Sequence, residues 1–371
     1  MTEAELPGLT AQVLGAAFAL ALAFGAVAQH TRFCTMGAVA DIVTMGDWSR
    51  MRAWMLAIAV AIIGFNTMVA LGIVQAKHTL YAAPTLLWLS NLVGGLMFGF
   101  GMVLASGCGS KTLVRIGAGN LKSLVVFLVL GIAAYATLRG IFAVARVATI
   151  DTVSITLATG QDLPSLLAGT AGRPLAWWAH MLSVAIGTVL VVFVLARPGG
   201  RTAEVWIGGL GIGLVVVGVW WVSGRLGHLV EHPQTLEETF LATNSRRMES
   251  LSFVAPLAYT LDWLMLFSDK SKTLSIGIVS VFGVIVGSAV VALLGRSFRW
   301  EGFRGAEDTA NHIVGGALMG VGGVLALGCT IGQGLSGVST LAVGSFLTLA
   351  ALIGGALLAL RWQTWRMERA L

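Results

Sequence analysis

The chain has 371 residues, of which 57% are hydrophobic and only 11% charged, and its mean hydropathy is +0.87. A water-facing surface carries roughly a quarter or more Lys, Arg, Asp and Glu, so an ordinary soluble protein is excluded and the chain must face lipid. Its net charge of +6 comes with no basic run and no aromatic-interleaved patch, which excludes nucleic acid as a partner and leaves anion handling or topogenic charge.

The first apolar run, about 8–28, ends in Ala26, Val27 and Ala28 like a signal-peptide cleavage site. Met1 to Leu14 nevertheless carries Glu3 and Glu5 and no Lys or Arg, so a retained first span is expected. Further runs able to cross about 30 Å of hydrocarbon lie at about 52–75, 87–105, 121–147, 178–196, 203–222, 273–294, 308–327 and 339–360, which predicts nine long helices. Three apolar pieces, 34–46, 109–118 and 330–338, begin at or just after a cysteine and are too short to span. They read as re-entrant half-helices, tolerated at membrane depth only under cover of protein or a water cavity. Residues 151–174 read as an exposed loop and 224–272 as a polar extramembrane insert, in which 251–268 is either a tenth span or an interfacial helix. Basic clusters stand at Arg50 and Arg52, Arg197 and Arg201, Arg296 to Arg304, and Arg361 to Arg369. No single inside assignment satisfies all four, so sidedness stays open. The expected fold class is an all-α polytopic membrane protein, a single transmembrane domain over 1–371.

Gly94 to Cys108 (GGLMFGFGMVLASGC) and Gly315 to Cys329 (GGALMGVGGVLALGC) are identical at nine of fifteen positions, 221 residues apart. The same offset lays 52–75 on 273–294, so repeat units of about 52–147 and 273–360 are expected, as in duplicated transporter bundles. The Gly-rich stretches let a neighbouring backbone approach closely, which suits helices at the middle of the bundle.

The cysteines, Cys34, Cys108 and Cys329, make neither a disulfide framework nor a zinc motif. A buried free cysteine is usually a small apolar residue, but two stand at equivalent repeat positions beside glycine. Each precedes a short helix whose N-terminus would attract an anion. Lys111 and Arg115 follow Cys108, Lys122 opens the next span, and His30 and Arg32 precede Cys34. Thr330, Gln333 and Ser336 supply neutral donors beyond Cys329. A charge at membrane depth marks function by default, although Arg115 and Lys122 equally suit snorkelling to the interface. Such a path would accept a small anion with a soft atom, and sulfur fits. Asp41, Asp262, Glu307 and Asp308 would couple protons if buried, with interface positions the alternative.

The segments HTRFCTMG (His30 to Gly37), GMVLASGCGSKTLVRIGAGNLKSL (Gly101 to Leu124) and GGVLALGCTIGQGLSG (Gly322 to Gly337) resemble the signature segments of the YeeE/YedE sulfur-transport membrane proteins. The resemblance covers most of the chain and includes all three cysteines. It implies uptake of thiosulfate across the bacterial inner membrane, through an hourglass-shaped protein with Cys34, Cys108 and Cys329 at its constriction. The polar insert is longer than the family leads one to expect, and some relatives handle selenium or other sulfur species. A hydrogen-bond relay needs neutral thiols, whereas persulfide transfer needs a thiolate; a thiolate would repel the anion, which favours the relay. The alternatives are a membrane sulfurtransferase or thiol redox enzyme using Cys108 and Cys329, which lacks a recognisable base, and a membrane subunit binding a partner through the insert. No ATP-binding loop, haem, quinone or other cofactor motif is present. The expected partners are the small anion and the bilayer, with a cytoplasmic sulfur-carrier protein as a candidate third.

Overall fold

Within hydrocarbon a backbone must satisfy its own hydrogen bonds, so long apolar runs become helices. The computed structural model of the chain describes residues 5–370; Glu3, part of the signal-peptide argument, lies outside the described residues. The long helices are α1 (Leu6–His30), α3 (Ser49–Ala70), α4 (Trp88–Leu104), α6 (Leu121–Arg139), α9 (Leu175–Leu195), α10 (Ala203–Trp221), α12 (Ile276–Leu294), α13 (Ala306–Leu325) and α14 (Val343–Ala370). Between them stand the short helices α2 (Thr35–Met45), α5 (Gly109–Gly117), α7 (Ile141–Ala148), α8 (Leu163–Ala171) and α11 (Ala255–Met265).

Among the described residues eight helices are long and apolar enough to cross a membrane, where nine are expected from sequence. The ninth, α13, has 20 residues, but Glu307, Asp308, Asn311 and His312 occupy its first two turns, and it packs between α4 and α6. The run 121–147 is not one helix: it breaks at Gly140, where a Cβ would meet the main chain of Ala136 at 2.8 Å. The piece 251–268 becomes α11, whose 11 residues rise only about 16 Å, too little to span. The third half-helix is a π-helical turn, Gly332–Gly337, rather than an α-helix. The loop 151–174 is partly ordered, since β2 (Ile155–Thr156) pairs with β1 (Thr85–Leu86) and Asp162 caps α8. In the insert, β3 (His228–Leu229) pairs antiparallel with β4 (Thr239–Phe240).

Glycines set the helix directions by letting backbones touch. Leu56 lies on Gly209 and Val60 on Gly213, so α3 and α10 run in parallel; Gly95 on Ala351 and Gly99 on Ala356 do the same for α4 and α14. Gly316 meets Val129 and Gly320 meets Ala133, aligning α13 with α6. In contrast α4 and α13 are antiparallel, with Gly94 on Gly322 at one end of the crossing and Gly101 on Gly315 at the other. Helix α1 runs against α10, Thr31 meeting Gly208 and Leu20 meeting Gly218.

These directions put all four basic clusters on one face, together with the ion pairs Lys122–Asp308 (2.9 Å) and Arg366–Glu307 (2.9 Å). The expectation that no single assignment accommodates them is therefore corrected. The segments 71–87, 140–174, 222–250 and 266–275 lie on the opposite face, called here the insert face, while 251–265 folds back into the bundle, Val254 lying on Gly323 and Leu261 on Gly131.

Candidate functional site

Each cysteine follows the same helix ending. A residue in the left-handed region, Arg32 (φ 52), Ser106 (φ 55) or Leu327 (φ 57), stands two positions before it. The next amide then reaches back five residues: Phe33 to the carbonyl of Ala28 at 3.1 Å, Gly107 to Met102 at 2.8 Å, and Gly328 to Gly323 at 2.8 Å. This is a Schellman closure, built here without glycine at the left-handed position, a conformation that costs a side-chain-bearing residue about 1–2 kcal/mol. The chain leaves it in extended conformation at Cys34 and Cys108, each the N-cap of a half-helix.

The sulfurs take up the capping role. Cys34 Sγ accepts from the Gly37 amide at 3.3 Å and Cys329 Sγ from the Gly332 amide at 3.3 Å. Cys108 differs: it stands at the N-cap without a capping hydrogen bond, and its sulfur lies 3.3 Å from Ser110 Oγ. An N–H directed at sulfur occupies its lone pair and leaves the S–H free to donate elsewhere. All three thiols are buried and unbridged. Cys34 and Cys108 are neighbours, and the Thr330 hydroxyl lies beside Cys108.

Around the thiols polar atoms are left over. Thr35 Oγ1, Thr330 Oγ1 and Gln333 Oε1 are buried without hydrogen-bond partners, although Gln333 Nε2 donates to the Ala326 carbonyl at 2.6 Å and so caps α13. Unsatisfied buried polar atoms typically cost about 1–3 kcal/mol each, which is tolerable where water or a ligand visits. Ser336 is engaged otherwise, donating to the Leu251 carbonyl at 2.7 Å.

Toward the basic face stands Lys111. Its stem packs on Gly107, and it forms no ion pair among the described residues, with Arg115 and Arg50 as charged neighbours. Arg115 donates to the Ser106 carbonyl at 2.8 Å, holding the strained turn. Arg32 and His30 are exposed, and Lys122 is paired with Asp308 at some remove. Sequence reasoning read Arg50 only as a topogenic charge. Its guanidinium covers Gly37 at the start of α2 and pairs with Asp41 at 3.1 Å. Phe253 was missed as well, read only as part of the apolar piece 251–268: its carbonyl approaches Gly109, its amide faces Cys329, and its ring packs on Phe24 at 5.6 Å. On the insert-face side, a cavity of about 180 Å³ is bordered by Tyr81, Asn244, Glu249, Ser252, Tyr259 and Leu327, with Tyr81 and Ser252 against Gly332.

The four carboxylates considered for proton coupling all have cationic partners: Asp41 with Arg50, Asp262 with Lys272 at 2.7 Å, Glu307 with Arg366 and Asp308 with Lys122.

Comparison with known proteins matches residues 30–358 to the profile of the sulphur transport family, and the chain belongs to that family. It is 29% identical to the thiosulfate transporter TsuA of Escherichia coli (strain K12), over 84% of this chain and 83% of that protein. Identity to the thiosulfate transporter TsuA of Spirochaeta thermophila is 26%, over 90% of this chain and 93% of the other. The probable transporter YedE of Salmonella typhimurium is 32% identical over a shorter stretch, 29% of this chain and 25% of its own length.

Proposed function

We propose that this chain takes up thiosulfate, or a closely related sulfur-containing anion, across the bacterial inner membrane along a path past Cys329, Cys108 and Cys34. The thiols pass the ion on by donating S–H hydrogen bonds to its terminal sulfur. The observation that carries this reading is Lys111, a largely covered cation beside the thiols of Cys34 and Cys108 with no carboxylate partner among the described residues. A cation so placed leaves an anion as its complement. Family membership and relatives named as thiosulfate transporters supply the substrate class.

The order of groups suggests the route. An ion from the insert-face cavity would pass Tyr81 and Ser252, meet Cys329 beside Phe253, then Cys108 with Cys34, and leave past Lys111, Arg115 and Arg32. The four clusters on one face make that face cytoplasmic by the positive-inside rule, so the route runs inward, to where a sulfur-carrier protein would collect the product. The reciprocal glycine contacts of α4 and α13 fit two inverted halves, with the two mouths as counterparts. Weak S–H donors hold an ion loosely enough to let it go, as conduction requires.

The test is uptake of labelled thiosulfate into liposomes containing only this chain, with excess sulfate as competitor. Sulfate has the same charge but lacks the large, soft sulfur, so uptake should persist against it, whereas selenosulfate should compete. No uptake, or equal competition by sulfate, would overturn the reading. The closeness of Cys34 to Cys108 favours one second reading, in which a thiolate attacks the outer sulfur of thiosulfate, forming a cysteine persulfide and expelling sulfite. A sulfur adduct on a cysteine peptide that rises and falls with substrate would establish it.

A further inference from the structure

On the insert face, away from the cysteines, His78, His228 and Glu238 converge from three places in the chain. His78 ends the short turn Ala76–His78, His228 opens β3, and Glu238 immediately precedes β4. Glu238 Oε1 lies 2.7 Å from His228 Nε2 and 3.6 Å from His78 Nε2, and the three potential ligand atoms are all within 4.8 Å of one another. Phe240 fixes both rings: it stacks on His228 at 4.8 Å and 18° and packs on His78 at 5.4 Å. At 3.6 Å the His78 nitrogen makes no hydrogen bond to the carboxylate, yet it points at the same oxygen as His228.

We propose that His78, His228 and Glu238 bind a zinc-class divalent cation. Two imidazole nitrogens and a carboxylate oxygen are a zinc donor set that leaves one coordination position open. Ligand atoms around a tetrahedral zinc stand about 3.4 Å apart, given bonds of about 2.0–2.2 Å, so the observed spacing needs adjustments of about an ångström. Lys77 and Arg247 are close enough to act on His78, which disfavours ions held by charge alone and favours one held through imidazole, as zinc is over calcium or magnesium. The bound ion would tie the 71–87 loop to the insert hairpin. That loop also bridges Thr79 to Met248 and carries Tyr81 at the cavity, so the metal would set the stiffness of this mouth.

The site stands independently of the transport reading, because its test is binding. The full chain, purified without a polyhistidine tag and stripped with chelator, is titrated with Zn2+ by calorimetry and with Co2+ by visible absorption. One ion per chain is expected, with the d–d bands of a nitrogen- and oxygen-ligated tetrahedral Co2+ and a rise in the unfolding temperature. Removing even an outer-shell partner weakens metal sites by about 10–100-fold, so His78→Gln and His228→Gln should each weaken binding at least tenfold and abolish the thermal shift. If His228→Gln fails to fold, His78→Gln, on the short turn, carries the test alone. Unchanged affinity in these variants, or Co2+ bands showing thiolate charge transfer, would overturn the assignment.

Discussion

A cysteine that caps a half-helix with its sulfur has two roles, and substitutions separate them. At Cys329 alanine removes both the S–H donor and the acceptor for the Gly332 amide, and loss of a cap costs about 0.5–2 kcal/mol; at Cys108 it removes the S–H and the contact with Ser110, and at either position serine keeps a hydroxyl that donates and accepts. On the relay reading, Cys108→Ala and Cys329→Ala should each abolish thiosulfate uptake at unchanged membrane levels, and at least one of Cys108→Ser and Cys329→Ser should keep measurable uptake. If both serine variants are as inactive as alanine, the relay fails and sulfur transfer takes its place; full uptake in both alanine variants returns the thiols to packing. Lys111 gives a second prediction. Hydrogen bonds to charged groups contribute about 1.5–3 kcal/mol, so Lys111→Met should lower uptake at limiting thiosulfate by roughly 10–100-fold, and Lys111→Arg should restore part of it. Uptake unaffected by Lys111→Met would remove the observation on which the reading rests. Cys34, Cys108, Cys329 and Lys111 were legible from sequence because thiols and charges stand out in an apolar chain. Arg50 and Phe253 were not, since what brings them to the thiols is tertiary: a guanidinium folded back onto Gly37 and a carbonyl pressed on Gly109.

At the level of elements, the crossing of α4 and α13 decides whether the two Schellman turns, and with them Cys108 and Cys329, are held in place. A Cβ on Gly101 would stand 2.7 Å from the Gly315 carbonyl oxygen, and one on Gly322 2.7 Å from the Gly94 carbonyl oxygen. Backbone cannot yield as a flexible side chain does, and overpacking costs about 1–3 kcal/mol. Gly101→Val and Gly322→Val should therefore each lower the unfolding temperature of the purified protein, while Gly15→Val, with nothing within 4 Å, should leave it unchanged. Equal effects at all three positions would mean that valine acts through helix propensity rather than through the crossing. This contact was half legible: the Gly-rich identity at a fixed offset pointed to close packing, but sequence gave neither its antiparallel sense nor the partner of each glycine. Span existence was legible because hydrocarbon demands length and apolarity together. The break at Gly140 was passed over because apolar residues resume directly after Arg139 and Gly140, and the π-helical form of Gly332–Gly337 has no composition signal. The left-handed Arg32, Ser106 and Leu327 run against the glycine preference that would have announced them.

For the whole molecule, orientation and energetics are linked. With the basic face inside, the insert faces out and the last turns of α14 lie on the cytoplasmic side; a membrane-impermeant maleimide should then label Glu231→Cys in intact cells and not Glu368→Cys, and the reverse pattern would turn the route around. Thiosulfate carries two negative charges into a negative compartment, and each charge costs about 2.3 kcal/mol per 100 mV. A dianion moving alone thus loses about a factor of ten in equilibrium accumulation for roughly every 30 mV, negative inside. A co-transported proton would need a carboxylate that takes it up, yet Asp41, Asp262, Glu307 and Asp308 are each already paired with a cation. On the proposed reading, and with those four carboxylates out of play, entry would be passive and electrogenic, drained by metabolism, with Lys111 lowering the barrier rather than supplying a gradient. In liposomes holding the chain with its cytoplasmic face inward, a potassium–valinomycin potential negative inside should then depress thiosulfate accumulation, and one positive inside should raise it. Accumulation insensitive to the potential would mean that compensating positive charge travels with the ion, on Glu249, which borders the insert-face cavity and is held by Ser245 rather than by a cation, or on one of the paired carboxylates once opened.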